Sequence, residues 1–179
     1  MTNTAVPENS TDLARRVRVR PARPEDVDRY LDLLEAVASE RRWIGTEAPI
    51  DRTERRARFE ERLHGDWANL LAEADGRLVG HIGLQNKRGL VEIGMMVAEG
   101  YRGRGIGSAL MRAALDWGRE RGAHKISLQV WTHNESAIAL YEKFGFVREG
   151  HLVKQWKRSN GDLWDSYVMG LILMDVEDD

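Results

Sequence analysis

The stretch Tyr101-Arg102-Gly103-Arg104-Gly105-Ile106-Gly107-Ser108-Ala109-Leu110 joins an apolar strand pattern, Leu90–Val97, to an amphipathic helix pattern. Because glycine has no Cβ, the backbone at its three glycines can turn sharply and bring N–H groups close to a ligand. A helix that begins there directs its unpaired N–H groups and the positive end of its dipole into the turn. The two arginines add forked, cationic donors. The stretch therefore predicts a site for a phosphate-bearing molecule.

Composition limits what the chain can be. Its 179 residues are 42% hydrophobic and 31% charged, which is typical of one globular domain with its own core. The formal net charge of -2 argues against a nucleic-acid partner, since such binding relies on excess basic residues. No apolar run reaches the roughly 18 residues that span a bilayer, and no signal-peptide pattern opens the chain, so we expect no membrane partner.

The chain contains no cysteine. Disulfides and acyl-cysteine chemistry are therefore excluded, and a cytoplasmic location is expected. The histidines lack the spacing of metal ligands, which predicts no metal site. They are His64, His81, His124, His133 and His151.

Residues 16–175 are predicted to form one mixed α/β domain, between a disordered leader at residues 1–15 and an acidic tail at residues 176–179. The order of elements is β-α-α-β-β-β-α-β-α-β-β. Its predicted segments are a strand at Val17–Arg20, a helix opened by Pro24, a helix at Asp51–Leu63, a hairpin of Trp67–Ala74 and Arg77–Gln85, a turn at Asn86–Gly89, the strand Leu90–Val97, a helix ended by Gly122, a strand at Lys125–Val130, a helix at Glu135–Phe144, and strands at Phe146–Lys157 and Leu163–Leu173.

Two well-known phosphate sites fit the glycine turn poorly. A Walker A loop needs Gly-Lys followed by Ser or Thr, and that lysine is missing. A dinucleotide fold places Gly-x-Gly-x-x-Gly in its first βαβ unit, whereas Gly103-Arg104-Gly105-Ile106-Gly107 has a different spacing and follows a strand meander.

A third pattern fits position by position. Arg102–Gly107 has the form Arg/Gln-x-x-Gly-x-Gly/Ala, and it is followed by Asn134-Glu135-Ser136-Ala137 and by Tyr141-Glu142-Lys143-Phe144-Gly145-Phe146. Together these motifs resemble the GNAT superfamily of N-acetyltransferases, over residues 17–173. The resemblance implies a mostly antiparallel, mixed sheet of about seven strands, splayed between strands 4 and 5 and flanked by about four helices. It also implies acetyl-CoA as the co-substrate.

The resemblance implies positions for the acetyl-CoA site. The pyrophosphate would lie on the main-chain amides of the glycine turn, and the pantetheine arm along the main chain of the preceding strand. Asn134 would touch the pantetheine or a phosphate, although N-capping of the following helix is a sufficient role by itself. The implied binding residues are Met96, Val97, Arg102, Gly103, Arg104, Gly105, Ile106, Gly107, Ser108, Asn134, Ala137 and Tyr141.

Three side chains are candidates for the chemistry. Tyr141 matches the family tyrosine that approaches the sulfur, and its phenol can protonate a departing thiolate; the alternative is a packing tyrosine. Glu92 resembles the strand glutamate that deprotonates the amine through water in some members, or else it lies on a solvated sheet face. Glu47, in the loop before the second helix, is expected either to anchor a cationic substrate or to cap the following turn.

The resemblance thus implies an N-acetyltransferase that acts by direct transfer in a ternary complex, since no acyl-enzyme nucleophile is evident. The acceptor would be a small primary amine, such as an amino acid, polyamine or amine antibiotic. The alternatives are a protein N-terminus as acceptor, or a non-catalytic acyl-CoA sensor. Trp131 and His133 are expected near the splay, and Trp156 and Trp164 in core or dimer contacts, which leaves a homodimer open.

Overall fold

A computed structural model describes residues 17–174, so the predicted leader at residues 1–15 and tail at residues 176–179 lie outside the described residues. One seven-stranded sheet has the order β1-β2-β3-β4-β5-β7-β6. The strands are β1 Arg18–Pro21, β2 Trp67–Ala74, β3 Arg77–Lys87, β4 Leu90–Val97, β5 Lys125–Trp131, β6 Val147–Lys157 and β7 Leu163–Ile172. The helices are α1 Val27–Ser39, α2 Arg52–Glu61, α3 Ile106–Glu120 and α4 Glu135–Lys143, with a 3-10 turn at Pro24–Asp26. The predicted fold class is confirmed.

Local differences from the sequence prediction are small. Strand β3 runs to Lys87, because the reversal after it uses only Arg88 and Gly89, with φ of 55° and 90°. Asn86, predicted to start that turn, remains in the strand and accepts the Gly89 amide on its side-chain oxygen at 2.7 Å. Asp51 caps α2 by accepting the amides of residues 53 and 54, both at 3.0 Å.

Helix α3 covers one face of the sheet, and α1 and α2 cover the other. Ile106 and Leu110 of α3 lie so close to Gly80 of β3 that an added Cβ would be 3.0 Å from each side chain. Alternation along β4, in register with β3, directs residues 93, 95 and 97 to this face. On the other face Met96 packs against the apolar side of α1, and Tyr30 of α1 stacks on Phe59 of α2 with ring centres 4.6 Å apart.

The sheet parts between β4 and β5. These parallel strands are paired only at Leu90–Lys125, Val91–Ile126 and Glu92–Ser127. Beyond Glu92, β4 continues to pair with β3 and β5 continues to pair with β7. Each strand thus follows its outer neighbour, and the predicted splay between strands 4 and 5 is present. Among residues 17–174 no helix is long and apolar enough to cross a membrane.

Candidate active site

A cavity of about 840 Å³ occupies the parted strands and extends onto both faces of the sheet. Its lining includes Ile93 and Met95 from the α3 face of β4, together with Glu92, Gly94 and Met96 from the opposite face. We call its two ends the glycine-turn half, bounded by the start of α3 and by α4, and the α2 half, bounded by α1, α2 and the loop at residues 43–46. One continuous space therefore connects the two faces.

The glycine turn has the backbone geometry that its sequence predicts. Gly103 and Gly105 have φ of 71° and 85°, in the left-handed region that disfavours other residues. Gly105 is the N-cap of α3, so the amides of Ile106, Gly107 and Ser108 have no partner within the helix. Gly107 acts differently: an added Cβ would lie 2.8 Å from Leu140 Cδ2, so the glycine lets α4 pack closely against the start of α3. The turn thus combines free amides with a helix N-terminus.

The two arginines of the turn have different contacts, and those of Arg102 were not predicted. The Arg102 guanidinium donates to both carboxylate oxygens of Glu40, at 2.6 Å each, and its Nε donates to the Val97 carbonyl oxygen at 3.0 Å. This pair lowers the pKa of Glu40. The Arg102 side chain therefore fastens the turn to the end of α1, whereas it was expected to face an anion. Arg104 is exposed and makes no ion pair with residues 17–174.

Helix α4 supplies the other wall of the glycine-turn half. Asn134 is its N-cap and accepts the Ala137 amide at 3.3 Å, which confirms the capping role. Asn134, Ala137 and Tyr141 all line the cavity. Tyr141 is only 6% exposed, and this burial raises the pKa of its phenol to about 12. The phenol is consequently a proton donor, and never an appreciable phenolate, at neutral pH.

Glu92 stands at the point where the strands part. It is the last β4 residue paired with β5, and its side chain lines the α2 half. Its carboxylate accepts a hydrogen bond from Lys87 Nζ at 2.6 Å, and both side chains are about half exposed. The position suits a base that works through solvent.

Glu47 lies outside the cavity lining, in contrast to its predicted substrate contact. Its carboxylate accepts from the Ser159 amide at 3.1 Å, from the Ser159 hydroxyl, and from Arg158 Nε at 3.0 Å. These hydrogen bonds, chiefly those from Ser159, lower the pKa of Glu47. Its carboxylate is thus occupied by the turn between β6 and β7, because that turn folds back onto the loop at residues 41–50. Glu47 therefore positions the loop.

Arg158 is the centre of this attachment. It is 6% exposed, it donates to the carbonyl oxygen of Gly45 at 3.0 Å, and its guanidinium carbon lies 4.4 Å from the ring centre of Trp164. Trp131 packs edge-on against Trp164 at 5.4 Å and lines the cavity as predicted. His133 does not line it; its Nε2 lies 3.0 Å from the Arg42 carbonyl oxygen. A buried cation thus fixes the loop that forms one wall of the α2 half.

The floor of the α2 half is polar and nearly free of bulky side chains. Gly83 and Gly94 are paired across β3 and β4. Beside them His81 Nε2 lies 2.8 Å from Asn69 Oδ1, and the Asn69 amide nitrogen donates to the Arg62 carbonyl oxygen at 2.9 Å. The Asn69 oxygen must therefore accept, which assigns the imidazole proton to Nε2 and leaves Nδ1 with its lone pair. Burial, with a smaller effect of the nearby Arg62 cation, lowers the pKa of His81 to about 3.

The sequence matches a known protein family over most of this architecture. The profile of the Acetyltransferase (GNAT) family matches residues 31–146, from α1 to the start of β6. The chain belongs to this family. The GNAT resemblance seen in the motifs is confirmed, and so is the prediction of an N-acetyltransferase enzyme.

Relatives in this family act on different amines. An L-methionine sulfoximine/L-methionine sulfone acetyltransferase from Pseudomonas aeruginosa (strain PAO1) is 26% identical over 75% of this chain and 82% of its own length. A ribosomal-protein-alanine N-acetyltransferase from Brucella melitensis is 26% identical, with a TM-score of 0.80 over 87% of this chain and 99% of that structure. A Sinorhizobium meliloti phosphinothricin acetyltransferase, solved in complex with AcCoA, shares the fold, with a TM-score of 0.79, 21% identity and coverage of 88% and 89%. The names of these relatives therefore do not identify the acceptor of this GNAT chain.

Two groups of residues at this GNAT site were not foreseen from the sequence. One is the buried pair His81 and Asn69, which carries no motif and lies on two different strands. The other is a row of arginines, formed by Arg55 and Arg58 of α2 and by its C-cap residue Arg62. The helical spacing of these arginines around Phe59 was a usable signal, because a single buried aromatic residue fixes which side of the helix faces inward. Among residues 17–174 no three His, Cys, Asp or Glu side chains are grouped to hold a metal ion.

Proposed function

We propose that this chain transfers the acetyl group of acetyl-CoA to a small primary amine by direct attack in a ternary complex. The observation that carries the proposal is the single cavity through the parted strands β4 and β5. It joins an anion-binding glycine turn on one side to an open polar chamber on the other. Two substrates can therefore meet in it from opposite sides.

The glycine-turn half fits acetyl-CoA by its donor set. The amides of Ile106, Gly107 and Ser108 and the exposed side chain of Arg104 are donors for the pyrophosphate. Asn134 keeps its side-chain nitrogen for the pantetheine arm, because its oxygen is used in capping. Val97 borders the opening, where its main-chain amide would pair with that arm, whereas the main-chain groups of Met96 belong to the ladder with His81 of β3.

The chemistry requires two proton movements, for which this chain supplies two groups. The amine nitrogen forms a bond to the thioester carbonyl carbon, and the carbon–sulfur bond breaks. We assign removal of the amine proton to Glu92, through water, and protonation of the departing thiolate to Tyr141. Burial weakens the phenol as an acid by raising its pKa, but a thiolate in the same apolar environment also becomes more basic, so the two effects offset each other.

The proposal is tested by incubating the protein with acetyl-CoA and a panel of primary amines, including peptides, while free thiol is measured. We expect thiol release that depends on one class of amine. Tight CoA binding without thiol release across the panel would instead identify an acyl-CoA sensor. Release only with peptides would identify a protein N-terminus as the acceptor.

A further inference from the structure

Helix α2 turns a row of arginines toward the α2 half. Arg55, Arg58 and Arg62 fall at i, i+3 and i+7 around Phe59, which is 3% exposed and fixes the orientation of the helix. All four residues line the cavity. The helix thus presents a cationic wall to the chamber in which we place the acceptor.

The other arginines of α2 have ordinary structural roles. Arg52 pairs with Asp32 at 2.9 Å and with Glu35 at 3.1 Å, and Arg56 pairs with Asp28. These contacts attach the outer side of α2 to α1. The acids of α1 are therefore engaged by arginines outside the chamber.

The arginines of the cationic wall have fewer acidic partners than Arg52 and Arg56. Arg58 has one exposed partner, Glu54, at 2.6 Å, and Arg62 lies over the Trp67 ring with its guanidinium carbon 4.2 Å from the centre. Arg55 is half-buried and makes no ion pair or hydrogen bond with any side chain of residues 17–174. A guanidinium that lines the cavity without an anion can bind one with its forked donors when a ligand supplies it.

The remaining groups of the chamber do not supply that anion. Glu92 is the only carboxylate in the described lining, and it is bound to Lys87. His81 is buried and Tyr30 partly buried, and desolvation displaces the pKa values of both toward their uncharged forms. The α2 half therefore has an excess of positive charge.

We propose that the acceptor carries a carboxylate beside its amine, as an α-amino acid does, and that Arg55 binds this carboxylate in the positive field of Arg58 and Arg62. The inference rests on the proposed function. A guanidinium matches a carboxylate with two parallel hydrogen bonds. Because the amine and the carboxylate of an α-amino acid are on one carbon, a carboxylate bound by Arg55 keeps the amine inside the α2 half. A polyamine would bring further positive charge to a positive wall, which is repulsive.

The test compares amino acids with the amines that remain when their carboxyl group is removed, for example leucine with isopentylamine, and includes spermidine. We expect kcat/KM for the preferred amino acid to exceed that of its matched amine by about 10-fold to 100-fold, as for a hydrogen-bonded charge. Arg55→Gln should abolish most of this ratio through KM, with kcat little changed. Arg55→Lys keeps the positive charge but lacks the forked pair of donors, so its ratio should lie between that of the parent and that of Arg55→Gln. Arg56→Gln, whose arginine pairs with Asp28 outside the chamber, is the matched control and should behave as the parent.

A second measurement does not depend on turnover. Binding of the N-acetyl amino acid and of the matched N-acetyl amine to CoA-saturated protein is compared by calorimetry, for the parent and for Arg55→Gln. Equal affinity of the two ligands in the parent, or a preference that survives Arg55→Gln, overturns the inference. Efficient acetylation of amines without a carboxylate also overturns it and leaves the proposed function intact. Failure of the proposed function has a different signature, which is CoA binding without thiol release for any amine.

Discussion

Replacing Tyr141 by phenylalanine removes one oxygen atom from the wall of the glycine-turn half and tests its assignment as the acid. The residue is 6% exposed, and burial is the only influence that shifts the pKa of its phenol, to about 12. At pH 8 only about one molecule in 10⁴ then has an ionised phenol, so nearly every molecule carries the proton. Loss of one donor directed at developing negative charge lowers kcat by about 10² to 10³.

The same structure predicts what Tyr141→Phe leaves unchanged. The hydroxyl makes no hydrogen bond to another described residue, so the free energy of unfolding should change by less than about 1 kcal/mol. CoA affinity should stay within a factor of about two, because we place the pyrophosphate donors in the glycine turn and not on Tyr141. Initial rates by thiol release, CoA titration and urea unfolding measure the three quantities. Tyr167→Phe, on β7 outside the cavity lining, is the control. A kcat for Tyr141→Phe within twofold of the parent would refute the assignment.

Three further changes test the turn, its anchor and the floor. Gly105→Asp puts a side chain at φ 85° and a negative charge among the anion donors, so the Kd for CoA should rise by on the order of 100-fold in calorimetry. Glu40→Gln weakens a part-buried, two-bond pair with Arg102 and should lower the free energy of unfolding in urea by about 1–2 kcal/mol. Between pH 7 and pH 5 the free energy of unfolding of the parent should fall by about 2 kcal/mol through His81, and that of His81→Gln should not. The reason is that His81 binds a proton at a pKa near 6.5 in the unfolded state but only near 3 in the folded state, so acid favours the unfolded state.

Each of these changes has a matched control. Gly100→Asp introduces the same charge at a similar φ of 75° outside the cavity lining, so equal loss of CoA binding would show that the turn has no special role. Glu142→Gln breaks an exposed pair with Arg148 and should cost almost nothing; an equal cost would contradict the anchor at Glu40. An unchanged pH slope in His81→Gln would place the titrating group elsewhere.

The sequence predicted correctly those turns and helix caps that depend only on residues a few positions apart. The turn at Asp75 and Gly76 follows from its residues, which have φ of 50° and 72° and suit a tight hairpin. The N-cap at Asn134 and the glycine turn likewise depend on neighbours within a few positions. The resemblance of two such motifs, in order, led to the family and its sheet.

Roles that depend on distant partners were predicted less well. The forked donors of Arg102 suit a phosphate and a carboxylate equally, and only the fold brings Glu40, 62 positions away, within 2.6 Å. Glu47 was expected to anchor a cationic substrate or to cap the following turn, but Arg158 and Ser159 reach it from another turn of the chain. In both cases the chemistry of the side chain was recognised and its partner was not.

The sequence by itself determined the glycine turn, the order of the elements and the acetyltransferase family, because each is encoded by residues close together along the chain. The tertiary structure alone decided which charges stay unpaired around the cavity. An arginine has the same character throughout α2, yet Arg56 meets Asp28 while Arg55 enters the chamber without a partner among the described residues. Helix orientation, fixed by burial of Phe59, makes that difference, and it turns a charged helix into a candidate determinant of the acceptor.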